Sequence, residues 1–218
     1  MATGSSYQEF AYSKCSLSLD ISTSNVGIAL WNEVGKLIEV RHLVLKTPKQ
    51  IPEENRYLYK AKLLKQYFEE YVVKIEEDYQ ARVVNIFIEA PLSDTPVNIN
   101  TTAKLLAFNG IACYIINEIF NIEPFLITIY QARKLFCTEL IKKVKRKGEM
   151  VDVLSFPKGV DKKDYIWQKV SKLEPQIKWI YKVDKHKKIT DKIHQKSYDI
   201  SDAYAVGIAG LKVLGILK

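Results

Sequence analysis

Four carboxylates, Asp20, Glu89, Asp199 and Asp202, occur where an α/β chain exposes its functional groups: late in a first strand, at the end of a fourth, and at the start of a closing helix. Three residues apart on a helix, Asp199 and Asp202 project from one face and can address one ion or a neighbouring pair. If the first and fourth strands are adjacent, all four groups converge. Carboxylates brought together repel and take up protons unless a cation compensates them. Hard oxygen donors with no His or Cys beside them suit Mg²⁺, with Mn²⁺ as a substitute, far better than Zn²⁺. Two such ions about 3.5–4 Å apart activate a water and stabilise the leaving oxygen in phosphodiester hydrolysis. Singly, each residue has an ordinary alternative: Asp20 as a turn residue, Asp199 as a helix cap, Glu89 as a surface group before a proline. The set carries the weight, helped by Ile86–Ile88, whose apolar character makes an unpaired Glu89 expensive to bury.

The elements that must position these groups are readable from periodicity. Cys15–Ile21 (CSLSLDI) alternates polar and apolar residues, Ser22–Asn25 supplies turn chemistry, and Val26–Trp31 follows as a second strand. A third strand over Lys36–Leu45 completes an antiparallel opening. Pro52–Tyr79 reads as a long amphipathic helix with Leu58, Ala61, Leu64, Tyr67, Phe68, Tyr71 and Ile75 on one face. Val83–Ile88 is a buried strand running into Glu89 and stopped by Pro91. Thr101–Phe120 is apolar on nearly every side, which predicts a helix buried on two surfaces or at a subunit contact. Phe125–Tyr130 reads as a strand and Gln131–Lys142 as a helix. Between 142 and 196 the composition turns lysine-rich, including the run Lys145-Arg146-Lys147, with one amphipathic helix over Asp161–Leu173 that Trp167 and Trp179 pack onto the body. Ser197–Leu217 closes the chain as a helix whose small residues allow close approach to a sheet. The order is a mixed α/β fold, three antiparallel strands followed by βαβ units flanked by helices, in one domain over 1–218 with the lysine-rich part as an insertion.

Composition narrows the partners. The 218 residues are 47% hydrophobic, enough for a substantial core, and 33 basic against 25 acidic residues leave a formal charge of +8 that favours an anionic partner. Cys15, Cys113 and Cys137 form no CxxC pair, which argues against zinc, and their sparse, odd number points to a reducing compartment. Met1–Lys14 shows no secretory pattern, and the apolar tail Ala203–Leu217 is short and interrupted by Lys212, so a soluble, intracellular protein with no membrane span is expected. Asn100-Thr101-Thr102 matches a glycosylation acceptor formally but reads better as the polar start of a helix.

Three segments resemble the RuvC-like Holliday junction resolvases of the RNase H-like superfamily: LSLDISTSNVGIALW is similar to their first hairpin, IFIEAPL to their glutamate strand, and YDISDAYAVGIAG to their closing helix with its D-x-x-D-A signature. KLLAFNGIACYIINEIF and ITIYQARKLF resemble the family's central helix and following strand and basic segment. The resemblance implies an RNase H-like fold, a two-metal site at Asp20, Glu89, Asp199 and Asp202, paired cuts in branched DNA, and a homodimer contact on the helix around 101–120. The Ile-Ser-Thr-Ser after Asp20 departs from the family's frequent Pro-Gly, and the segment before the last helix is longer than the family's. Arg133, Lys134, Lys162, Lys163, His194 and Lys196 flank the acidic elements and are the candidates for phosphate contact, each weighed against a solvated lysine face. Aromatic residues read as core rather than as stacking platforms.

Three rivals use the same residues differently. Another RNase H-like nuclease, acting on RNA/DNA hybrids, needs the same carboxylates. An actin-like or sugar-kinase-like phosphotransferase has a phosphate-loop hairpin similar to DISTSNVGIAL, though 218 residues do not supply two lobes and no adenosine motif is visible. A noncatalytic nucleic-acid-binding scaffold would show no metal-dependent activity.

Overall fold

The computed structural model describes residues 12–91, 99–146 and 148–218. The chain start read for a secretory pattern lies outside them up to residue 11, as does Lys147 of the lysine-rich run. Three strands, β1 (Ser13–Ile21), β2 (Asn25–Asn32) and β3 (Leu37–Val44), open the fold, followed by α1 (Arg56–Tyr79), β4 (Ala81–Ala90), α2 (Ile99–Phe120), β5 (Phe125–Thr128) and α3 (Ile129–Phe136). A hairpin, β6 (Ile141–Arg146) with β7 (Glu149–Leu154), then α4 (Lys162–Leu173), a second hairpin, β8 (Tyr181–Val183) with β9 (Ile189–Ile193), and α5 (Gln195–Val213) complete it.

The five main strands lie in the order β3-β2-β1-β4-β5. β1, β2 and β3 pair antiparallel, whereas β4 runs parallel to β1 and β5 parallel to β4. This mixed sheet with helices on both faces is the RNase H-like fold.

Alternation in β1 decides which side chains meet which helices. Cys15, Leu17, Leu19 and Ile21 join Ile28, Leu30, Ile86 and Ile88 in a core covered by α1 and α2. The intervening Ser16, Ser18 and Asp20 point to the other face, where Ala29, Trp31 and Phe87 meet α3, α4 and α5. There the Trp31 indole donates to Ser18 Oγ at 2.9 Å.

Helix α5 approaches this second face closely enough that glycine is required. A Cβ on Gly27 would overlap the Asp199 backbone, one on Gly207 would meet Trp31 and Ser18, and one on Gly210 would meet the Phe87 ring.

Three expectations need correction. Leu58, assigned to the buried face of α1, is exposed, and Leu64, Phe68, Tyr71 and Ile75 make the contact. The helix over Gln131–Lys142 ends at Phe136, because Cys137 leaves helical geometry (φ −105°, ψ 58°), and Ile141–Arg146 forms a strand. That strand returns through Gly148, whose φ of 92° serves a tight turn. Of the two readings of helix α2, burial on two surfaces within the fold gives way: Phe108, Asn109, Ala112, Ile115 and Ile116 are buried on one side, while Ile99, Leu106 and Tyr114 are exposed. Its length and composition would suffice to cross a membrane. Asp161–Leu173 holds as read: Asp161 caps α4, accepting from the backbone N–H groups of Lys163 and Asp164, and Trp167 packs edge-on against Trp179.

Gly27→Ala is expected to lower stability by about 2 kcal/mol through overpacking against α5. Gly110→Ala, at an open position of α2, is expected to raise it by up to about 1 kcal/mol. Denaturant melts of the two variants side by side check both signs.

Candidate active site

Strand register brings the first two carboxylates together. Leu19 pairs with Ile88, so Asp20 and Glu89 follow as the next residues on neighbouring parallel strands, on the face that meets α5. Asp20 also pairs with Gly27, and Gly27 with His42, giving a row across three strands. Because Gly27 has no side chain, the Asp199 backbone settles over this row. Asp202, one turn further along α5, is buried beside it. The buried Asn109 of α2 donates through Nδ2 to the Glu89 carbonyl at 3.3 Å and holds the end of β4 from the opposite face.

The electrostatics follow from crowding. Burial first, then the charges of Glu89, Asp202 and Asp199, push the Asp20 carboxyl well above its ordinary value, with Lys163 opposing. Burial also raises Glu89, to about 8, with Asp202 and Asp199 adding to the effect against Arg133 and Lys163. Asp202 is raised by burial while Lys163 and Arg133 pull it down. Its partner is Lys163 Nζ at 3.5 Å. Burial disfavours the Lys163 charge, but Asp202, Asp20 and Asp199 outweigh it and hold the ammonium above its usual range. Asp20, Glu89 and Asp202 thus share one field, to which the charge of Asp199 adds and which Lys163 and Arg133 oppose.

Asp199 is held differently. His42 Nε2 faces its Oδ2 at 3.3 Å, and Gln195 Nε2 donates to its Oδ1 at 2.9 Å. It is not the helix cap considered from the sequence: His194 caps α5, its Nδ1 accepting from the Lys196 backbone N–H. With Nδ1 accepting this bond, the other ring nitrogen of His194 is the one left to donate. Of the other basic candidates, Arg133 and Lys163 act on the carboxylates. Arg133 Nε is buried without a hydrogen-bond partner among the described residues. Lys134 and Lys196 are half-buried and Lys162 is exposed, and none has an ion-pair partner among the described residues. His42, Asn109 and Gln195 were missed. An Asn in the middle of an apolar helix and a Gln one turn before Asp199 were visible signals for two of them; His42 had none.

Among the described residues, no group of three or more His, Cys, Asp or Glu side chains is already set to hold a metal ion. The donor chemistry nonetheless fits a hard divalent cation. Asp20, Glu89 and Asp202 offer oxygen only, and their suppressed ionisation is what added positive charge would relieve.

A carboxyl whose pKa is higher folded than unfolded weakens the fold as pH rises from the unfolded value through the folded one. Glu89→Gln is therefore expected to stabilise the chelator-treated protein above about pH 8 and to change little near pH 4. Thermal melts of both proteins at the two pH values, with a variant less stable than wild type at the higher pH as the contrary result, check it.

No family model and no curated protein sequence matches the chain. Similar solved structures include RuvC of Thermus thermophilus, at 11% identity and a TM-score of 0.48, covering 94% of this chain and 98% of that one. The T. thermophilus RuvC in complex with a Holliday junction substrate is similar at 10% identity and a TM-score of 0.49, covering 89% and 91%. The ROK hexokinase of T. thermophilus is similar at 13% identity and a TM-score of 0.33, covering 63% and 48%. The fold itself is read from the strand order and its parallel and antiparallel pairings.

Proposed function

We propose that this chain is a metal-dependent, structure-selective endonuclease of the RuvC-like resolvase type, hydrolysing phosphodiester bonds in four-way junctions or related branched DNA. The observation that carries the reading is the adjacency of Asp20 and Glu89 on parallel strands beneath a helix that delivers Asp199 and Asp202, in the order of the D…E…DxxD motifs. In this reading the whole chain is one nuclease domain with a lysine-rich insertion around 142–196, acting as a soluble intracellular protein.

Asp20, Glu89 and Asp202 would hold two Mg²⁺ or Mn²⁺ ions, with Asp199 as the fourth carboxylate, oriented by His42 and Gln195. Such ions, when bound, supply a hydroxide at neutral pH and stabilise charge on the leaving oxygen. Lys163 and Arg133 lie close enough to the carboxylates to draw a phosphate into the site and to offset part of its charge. Lys134, Lys162 and Lys196 would contact more distant phosphates, giving affinity without reading sequence.

Paired cuts require two sites related by symmetry, and a two-fold dimer provides them. The exposed face of α2, with Ile99, Leu106 and Tyr114 flanking the small residues Ala103, Ala107 and Gly110, is the surface proposed for that contact.

The test is a cleavage panel of four-way junction, flap, RNA/DNA hybrid and linear duplex, with Mg²⁺, Mn²⁺ or chelator. Junction cutting that requires metal and is lost in Asp20→Asn, with junction binding retained, is the expected result. Preferential hybrid cutting would reassign the substrate, and full activity of Asp20→Asn would overturn the mechanism. For the dimer, Leu106→Lys is expected to convert a dimeric mass at micromolar concentration into a monomeric one; a monomeric wild type is the opposing result.

A further inference from the structure

A second cluster of charge lies away from the carboxylates. The β1–β2 turn, the end of β3 with the segment after it, and the first turns of α1 enclose a cleft of about 420 Å³ lined by Ser24, Asn25, Thr47, Lys46, Lys49, Arg56 and Lys60, among others. Four of its lining residues are cations and none is a carboxylate. None of the four has an ion-pair partner among the described residues, although ion pairs engage lysines elsewhere on the molecule.

Two further observations bear on what the cleft can bind. Thr47 Oγ1 is buried with no hydrogen-bond partner among the described residues, an arrangement that costs free energy unless a ligand completes it. Lys60 donates to the Thr23 carbonyl, which ties α1 to the turn, and burial together with the nearby Arg56 lowers its pKa. Like charges are thus gathered beside an unpartnered hydroxyl, with no carboxylate among the lining residues.

The position relates to the carboxylate row. Asn25 pairs with Val44, and Gly27, which also pairs with Asp20, pairs with His42. Asn25 and Val44 lie two residues further along the same strands on the same face, a step of roughly 7 Å. A backbone running past Asp20 along these strands would carry its next phosphates toward the cleft.

We infer that this cleft is a phosphate-binding site, built by Thr47, Lys49 and Arg56 with Lys60 bracing the turn, that holds the sugar-phosphate backbone of the nucleic-acid strand whose bond lies at Asp20. The inference rests on the nuclease reading for the identity of the ligand and on the cleft's own chemistry for its class. The alternative source of the same phosphate group is a nucleoside triphosphate, and the test separates them.

The experiment measures binding of a fluorescent four-way junction by full-length protein in chelator, over a salt series. Arg56→Gln with Lys49→Gln is expected to weaken binding about tenfold and to reduce the slope of log K against log salt by about one to two, since each phosphate contact contributes about 0.9. Thr47→Val removes only the hydroxyl. It is expected to weaken binding about fivefold at unchanged slope, as one lost hydrogen bond predicts, while leaving the melting temperature equal or higher. A residue with a merely structural role would not separate binding from stability in this way.

Unchanged junction affinity in the folded variants overturns the inference, as does ATP binding that is lost in the variants while junction binding stays intact. If the variants bind normally and wild type still cuts junctions, the cleft fails and the nuclease reading stands. If the variants lose junction binding and wild type cuts no nucleic acid with Mg²⁺ or Mn²⁺, the nuclease reading fails and the cleft stands.

Discussion

Helix α5 rests on the sheet at positions where no side chain intervenes, and that close approach organises the rest of the molecule. Gly27 on the strand side and Gly207 and Gly210 on the helix side let backbone meet backbone or ring. The contact aligns α5 across β1 and β2 so that its first turns end above Asp20. Trp31, Ser18 and Phe87 fill the space further along, and Tyr204 packs tilted against Trp31 with ring centroids 4.8 Å apart. A larger residue at Gly27 would lift Asp199 and Asp202 away from the row they complete.

The consequence is an electrostatic load at one end of the sheet. Burial and mutual repulsion raise three of the four carboxyl groups, and two cations, Lys163 from α4 and Arg133 from α3, relieve only part of it. The supporting structure follows from this need. Asp161 caps α4 just before Lys163, Lys163 reaches Asp202, and the Tyr198 hydroxyl of α5 binds Asp164. Helix α4 of the lysine-rich region therefore does more than decorate the surface, since it delivers a charge directly to the site.

Much of this was legible from residue order alone because it rests on local periodicity. Leu17 and Leu19 alternate with Ser18 and Asp20, which assigns Asp20 to the face opposite the aliphatic core, and Asp161 announces α4. What was not legible depends on distance along the chain or on exposure. His42 meets Asp199 across 157 positions, a contact that only strand order creates. Ile141–Arg146 is exposed along nearly its whole length, so no buried face leaves a period-two signature among its lysines. The all-round apolarity of α2 did not distinguish a helix buried on both faces from one with its second face exposed.

The central claim is that Asp20, Glu89, Asp199 and Asp202 act together on divalent metal. Titration of the purified protein with Mn²⁺, followed by the electron paramagnetic resonance of the free ion, tests it most directly. The account predicts saturable binding of up to two ions per chain, lost in Asp20→Asn and in Asp202→Asn while both variants remain folded. Absence of binding at millimolar Mn²⁺, or binding undiminished in those variants, would contradict it.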